Sequence, residues 1–173
     1  MQNPFPHLLA TLIAFSPAIA MAHDAGAQDP HLRASQPERP AIASPVTVSL
    51  DAQRIAGLTR HGVSARVHNT ELNCEGVTLI DVLRASDAIP EGRLGSAHLS
   101  RYVQVDARDG YRVLFSLAEL DPGTGNRAVY VVDRCGGEAL DEKDGPLRLL
   151  VPDDVRAARS VRQLDAINVV VAP

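Results

Sequence analysis

The sequence has no tryptophan, a single lysine (Lys143) and only two cysteines, Cys74 and Cys135. Aromatic residues make up 3% of it, and the formal net charge is −4, with acids scattered among the arginines. No basic stripe with interleaved aromatics exists, so nucleic-acid binding has no electrostatic footprint. The cysteines do not form a C-x-x-C pair, which argues against a thioredoxin-like redox motif. No Gly-x-Ser-x-Gly elbow or Ser-His-Asp order is present, and no glycine loop is built to cradle a phosphate. His61, His68 and His98 stand alone, without metal-ligand spacing. No Arg-Arg pair precedes the first apolar run, so the twin-arginine export route is not indicated.

That apolar run, Leu8 to Phe15, is too short for a permanent membrane helix. The small residues after it, Ala18-Ile19-Ala20 and Ala20-Met21-Ala22, fit the rule for signal-peptide cleavage, although no Lys or Arg precedes the run. Residues 1–22 are therefore expected to be a secretory signal and the protein to be periplasmic or secreted. No membrane span is expected after its removal. The general secretory route passes chains unfolded, so a cofactor inserted in the cytoplasm would not be carried along. Cleavage after Ala22 would expose His23 as a new amino terminus with His31 nearby. An amino group and an imidazole can chelate copper, but a hydrated tail explains them as well.

Residues 23–45 are polar, aperiodic and interrupted by Pro30, Pro37, Pro40 and Pro45, which reads as a disordered tether. A single domain is expected over 46–173. Val46–Leu50 and Val63–Asn69 alternate as strands do. Thr78 is placed to cap a helix carrying Leu79, Val82 and Leu83 on one face. Arg101–Leu117 reads as a hairpin turning at Asp109-Gly110, and Ser116 to Glu119 as a capping box opening a short helix. Ala128–Asp133 is a nearly continuous apolar run, expected to be a buried strand, and Leu147–Pro152 another. The last segment, Ser160–Val171, is expected to be a short helix running into a strand. The fold class is α+β, with strands dominant.

Asp141, Glu142 and Asp144 lack EF-hand spacing and read as a polar turn. Asp109 is explained by turn geometry and Asp106 by the polarity of the hairpin, rather than by acid–base chemistry. For Cys74 and Cys135, an even count in an exported chain favours a disulfide. Two separate buried thiols are the alternative.

Four segments, in order, carry a family resemblance. They are Gly76–Leu83 (GVTLIDVL), Asp109–Leu120 (DGYRVLFSLAEL), Val129–Pro152 with its Gly-Gly turn and GPLRLLVP ending, and Arg156–Val169 with its basic start. From about Gly76 to Val170 the chain resembles the molybdopterin-binding domain of the oxidoreductase superfamily that contains sulfite oxidase and the periplasmic methionine sulfoxide reductase. The resemblance implies a shortened, strand-rich, mixed-sheet or barrel-like domain of that fold. It also implies that Arg156, Arg159 and Ser160 match the positions that hold the pterin phosphate. Against that role, the segment is about two residues short and lacks the family's glycine. A solvated face formed by Arg156, Arg159 and Arg162 pairing with Asp153 and Asp154 explains the same residues.

Members of the family hold molybdenum through a cysteine thiolate, about a dozen residues before the glycine that Gly76 matches. Ser64 stands there, and Cys74 does not. A soft thiolate is the ligand such a metal uses, and a hydroxyl is a poor substitute. The favoured expectation is a non-catalytic binding or interaction module. It would carry no cofactor and would bind an unknown protein or a small anionic ligand. The alternatives are a molybdopterin-dependent oxidoreductase subunit, which the resemblance alone supports, and a thiol-based redox protein using Cys74 and Cys135.

Overall fold

A computed structural model describes residues 42–173. The expected signal segment, His23, His31 and most of the expected tether lie outside the described residues. Residues 42–45, the end of that tether, lie against the domain. The Val171 amide donates to Ser44 Oγ at 2.8 Å, and the Ala43 carbonyl accepts from Arg101.

The elements in order are β1 (Val46–Thr47), α1 (Ala52–Ala56), β2 (His61–Val67), β3 (Thr70–Thr78), α2 (Leu79–Ala85), α3 (Ser96–Leu99), β4 (Arg101–Ala107), β5 (Arg112–Ser116), α4 (Leu117–Leu120), β6 (Tyr130–Cys135), β7 (Glu138–Ala139), β8 (Arg148–Leu150) and β9 (Leu164–Val171). Strands predominate and the helices are short, as an α+β reading requires. Two antiparallel sheets result. One has the order β1-β9-β4-β5, and the other runs β2-β3-β6-β7 with β8 also paired to β6.

Alternation along β4, β5 and β9 sends Val103, Val105, Phe115, Ile167 and Val169 inward. They meet Leu79, Val82 and Leu83 of α2 and Leu117 and Leu120 of α4 in the main core. Each such side chain contributes about 1.5–3 kcal/mol by leaving water. In the second sheet, β8 and the start of β6 are buried on both faces. Val131 and Leu149 face the main core, whereas Val132 and Leu150 join Val63, Ala65, Val67 and Cys74 in a smaller one. Two-sided burial is why the β6 sequence is apolar without alternation.

The caps fall where the side chains allow them. Thr78 Oγ1 accepts from the Asp81 amide at 3.2 Å. Ser116 and Glu119 complete a reciprocal box at the start of α4. A Cβ on Gly76 would run into the Val131 carbonyl, so only glycine lets β3 approach β6 here, where the pairing register also shifts.

Three expectations need correction. The strand expected over Val46–Leu50 is regular only at Val46–Thr47, with one further bond from the Val48 amide to the Ile167 carbonyl at 2.9 Å, before Asp51 Oδ1 accepts from the Gln53 amide at 2.7 Å and the chain turns into α1. Strand β3 was not anticipated, since its polar residues hide the alternation of Cys74 and Gly76 with their neighbours. The helix expected after Ser160 is absent. A single 3-10 turn spans Ala157–Arg159. Val161 then exchanges backbone hydrogen bonds with Leu149, at 2.8 and 3.0 Å, which uses the groups a helix would need.

Cys74 and Cys135 face each other across β3 and β6 and form a disulfide closing a span of 61 residues. Of the two arrangements left open by the sequence, the bridge is the one present. In the chain-entropy description such a loop is worth about 4 kcal/mol. Thiol titration in denaturant without reductant should therefore find no free sulfhydryl, and Cys74→Ala/Cys135→Ala should lose roughly that stability in urea unfolding.

Candidate anion site

The residues matched to an anion-binding role are divided by the fold. Arg156 is exposed and lines a cleft with Arg66 and His68. Ser160 lies on the other side of the 3-10 turn, where its Oγ accepts from the Val151 amide at 3.2 Å. Arg159 turns inward and forms a bidentate pair with Asp154, Nε to Oδ2 at 2.9 Å and Nη2 to Oδ1 at 2.8 Å. Its guanidinium carbon lies 4.6 Å above the centre of the Phe115 ring. Nη1 reaches Glu119 at 3.4 Å, and Arg127 donates to Asp154 at 3.2 Å.

Two arginines and two carboxylates thus neutralise one another beneath the turn. The hydrogen bond from Arg159 holds Asp154 below the usual carboxylate range, and the same bond raises Arg159 further. The fork of Arg159 is fully engaged and is not offered to a ligand. Of the pairs expected for a solvated face, Arg159 with Asp154 forms, while Arg162 turns instead to Asp144 at 4.0 Å.

A cavity of about 370 Å³ opens on the Ser160 side of the turn, and its walls bring together residues that are far apart in the chain. The β2–β3 turn supplies His68, whose φ of 53° places it in the left-handed region. The turn after β7 supplies Lys143 and Asp144, β8 supplies Arg148, and the approach to β9 supplies Ser160 and Arg162. Asp141 Oδ1 accepts from the amides of Lys143 and Asp144, at 3.1 and 2.9 Å, so this is the polar turn that the sequence suggested. Gln163 ties it to the β9 approach by donating to the Glu142 carbonyl at 2.8 Å.

Arg148 is 4% exposed. Its Nη1 donates to Asp144 Oδ2 at 2.8 Å, while Nε has no partner among the described residues. Burial, together with the neighbouring charge of Arg162, lowers its pKa against the opposing pull of Asp144. Asp144 is shared between Arg148 and Arg162, and Lys143 takes part in none of the ion pairs among the described residues. Lys143, Arg148 and Arg162 therefore face two carboxylates in the walls, Asp141 and Asp144, a small positive excess, and the Ser160 hydroxyl keeps its own hydrogen to donate. Sequence reasoning did not single out Lys143 or Arg148. Only tertiary pairing carries them to Ser160, and a buried arginine inside an apolar strand gives no local signal.

No protein-family model matches the chain, and no curated protein matches it. The site must be judged on its own chemistry.

The donor set does not fit a thiolate-held molybdenum centre. Ser64 lies on β2, and its Oγ donates to Asn73 Oδ1 at 2.7 Å. Both sulfurs are joined to each other. Among the described residues, no group of three His, Cys, Asp or Glu side chains is placed to hold a metal.

The Asp154 pair sets an acid limit. A carboxylate with a depressed folded pKa contributes stability above its unfolded value, near 4, and loses it as pH falls through the folded value. Asp154→Asn should cost about 1–2 kcal/mol at neutral pH. The gap between wild type and variant should close in acid, which pH-dependent urea unfolding would record.

Proposed function

We propose that this protein is an exported, non-catalytic binding module built on a shortened molybdopterin-oxidoreductase-like fold, and that it takes a small anion. The observation that carries the reading is the Cys74–Cys135 bridge, which leaves no thiolate among the two cysteines of the chain. A metal that needs such a ligand has none, while the scaffold that the four segments resemble is free to serve another purpose. The two-sheet α+β architecture agrees with that scaffold, without being specific to it. The disulfide suits an oxidising compartment, and no helix among the described residues is long and apolar enough to cross a membrane.

The ligand class follows from the cavity bounded by Lys143, Arg148, Arg162 and Ser160. Cations in a partly enclosed site bind phosphate, sulfate or carboxylate groups through charge-assisted hydrogen bonds, which are stronger than neutral ones. Asp141 and Asp144 limit the net positive charge and favour an anion of low charge.

Two measurements test this. Protein purified from a periplasmic fraction should contain no stoichiometric molybdenum by elemental analysis. One metal per chain would restore the alternative of an oxidoreductase subunit. Inorganic phosphate should bind saturably in calorimetry, and Lys143→Ala/Arg162→Ala should weaken it by about tenfold or more. Equal binding by wild type and the double variant would remove the anion from the proposal.

A further inference from the structure

A second buried arginine lies at the other end of the sheet and lacks the counter-charge that Arg148 has. Arg101 opens β4 and is 2% exposed. Its Nη1 donates to the Ala88 carbonyl at 3.3 Å and meets His98 Nδ1 at 3.3 Å, and Nη2 reaches the Ala43 carbonyl at 3.5 Å. Nε has no partner among the described residues. None of the ion pairs among them includes Arg101. A guanidinium is thus removed from water against three neutral and rather distant acceptors. Burying a charge on such terms is costly, and proteins ordinarily meet the cost with a carboxylate held by both arms of the fork.

The space for one is present. A cavity of about 190 Å³ is lined by Arg101, His98, Asp87, Pro90 and residues 42–43. Asp87 is the one carboxylate on these walls. It is exposed, has a φ of 54°, and makes no ion pair with Arg101. His98 is the other titratable group facing the guanidinium. Burial lowers its pKa first and the charge of Arg101 lowers it further, while burial lowers Arg101. Both shifts follow first from burial, and the charge of Arg101 adds to that of His98.

We propose that the cavity between Arg101, His98 and residues 42–43 is a carboxylate-binding site, separate from the Lys143–Arg162 cavity. The ligand is a free small carboxylate. It takes Nε and one Nη of Arg101 and displaces the long contact with the Ala43 carbonyl.

The test is an acetate titration of the full chain, followed through the His98 ring by NMR, with chloride at matched ionic strength as the control. A saturable response of wild type to acetate alone, with the pKa of His98 rising as Arg101 is neutralised, is the expected result. Arg101→Met should weaken acetate by about tenfold or more, and Arg101→Lys, which keeps the charge but not the fork, by less. Silence of the wild type overturns the proposal. So does an undiminished response in Arg101→Met or, if that variant fails to fold, in Arg101→Lys. Molybdenum content and phosphate binding at the other cavity are untouched by these outcomes.

Discussion

The close pairing of β3 with β6 is the contact on which the rest of the domain depends. Gly76 lets the two backbones approach where any side chain would strike the Val131 carbonyl, and two residues away the Cys74–Cys135 bridge fixes the same pair covalently. Strand β6 then serves two cores at once, Val131 in the larger and Val132 in the smaller. Loss of this pairing would expose both, because β8 reaches the sheet only through β6. The bridge therefore does more than shorten the unfolded chain. It takes up both sulfurs, so the structural role of these cysteines excludes a ligand role for either.

The arginines show how one residue type takes different duties according to its neighbours. Arg159 and Arg127 are matched by Glu119 and Asp154 and act as cement beneath a turn. Arg148 is more deeply buried and shares Asp144 with Arg162, which leaves a cationic wall beside the cavity. Arg101 is buried at least as deeply and meets only carbonyls and an imidazole. A matched cluster stabilises locally and has nothing left to offer a ligand, whereas an under-compensated guanidinium lining a cavity does. The residues that bear on binding are therefore not those with the most ion pairs.

Much of the fold was legible because local chemistry and tertiary burial agree. Alternation in β2, β4 and β5, the cap at Thr78 and the box at Ser116 each follow from side chains within a few residues of one another. Where the two disagree, the reading fails. The polar residues of β3 give no strand pattern, yet β2 and β6 pair with it on both sides. The segment after Ser160 has helix-compatible residues, but its backbone is claimed by Leu149. At the site, the Arg159–Ser160 dipeptide could be found in the sequence. That Arg159 would be drawn against Phe115 and Asp154, with Lys143 and Arg148 left lining a cavity with Ser160, depends on contacts between distant segments.

By itself the sequence determined the α+β class, the small set of caps and hairpins, and the presence of only two cysteines, at 74 and 135. These depend on residue type and short-range spacing, which a linear reading contains in full. Only the tertiary structure decided that the two cysteines meet, which cations are neutralised, and which buried guanidinium groups line a cavity. Charge compensation is a property of distances between segments, and only the packed chain fixes those distances.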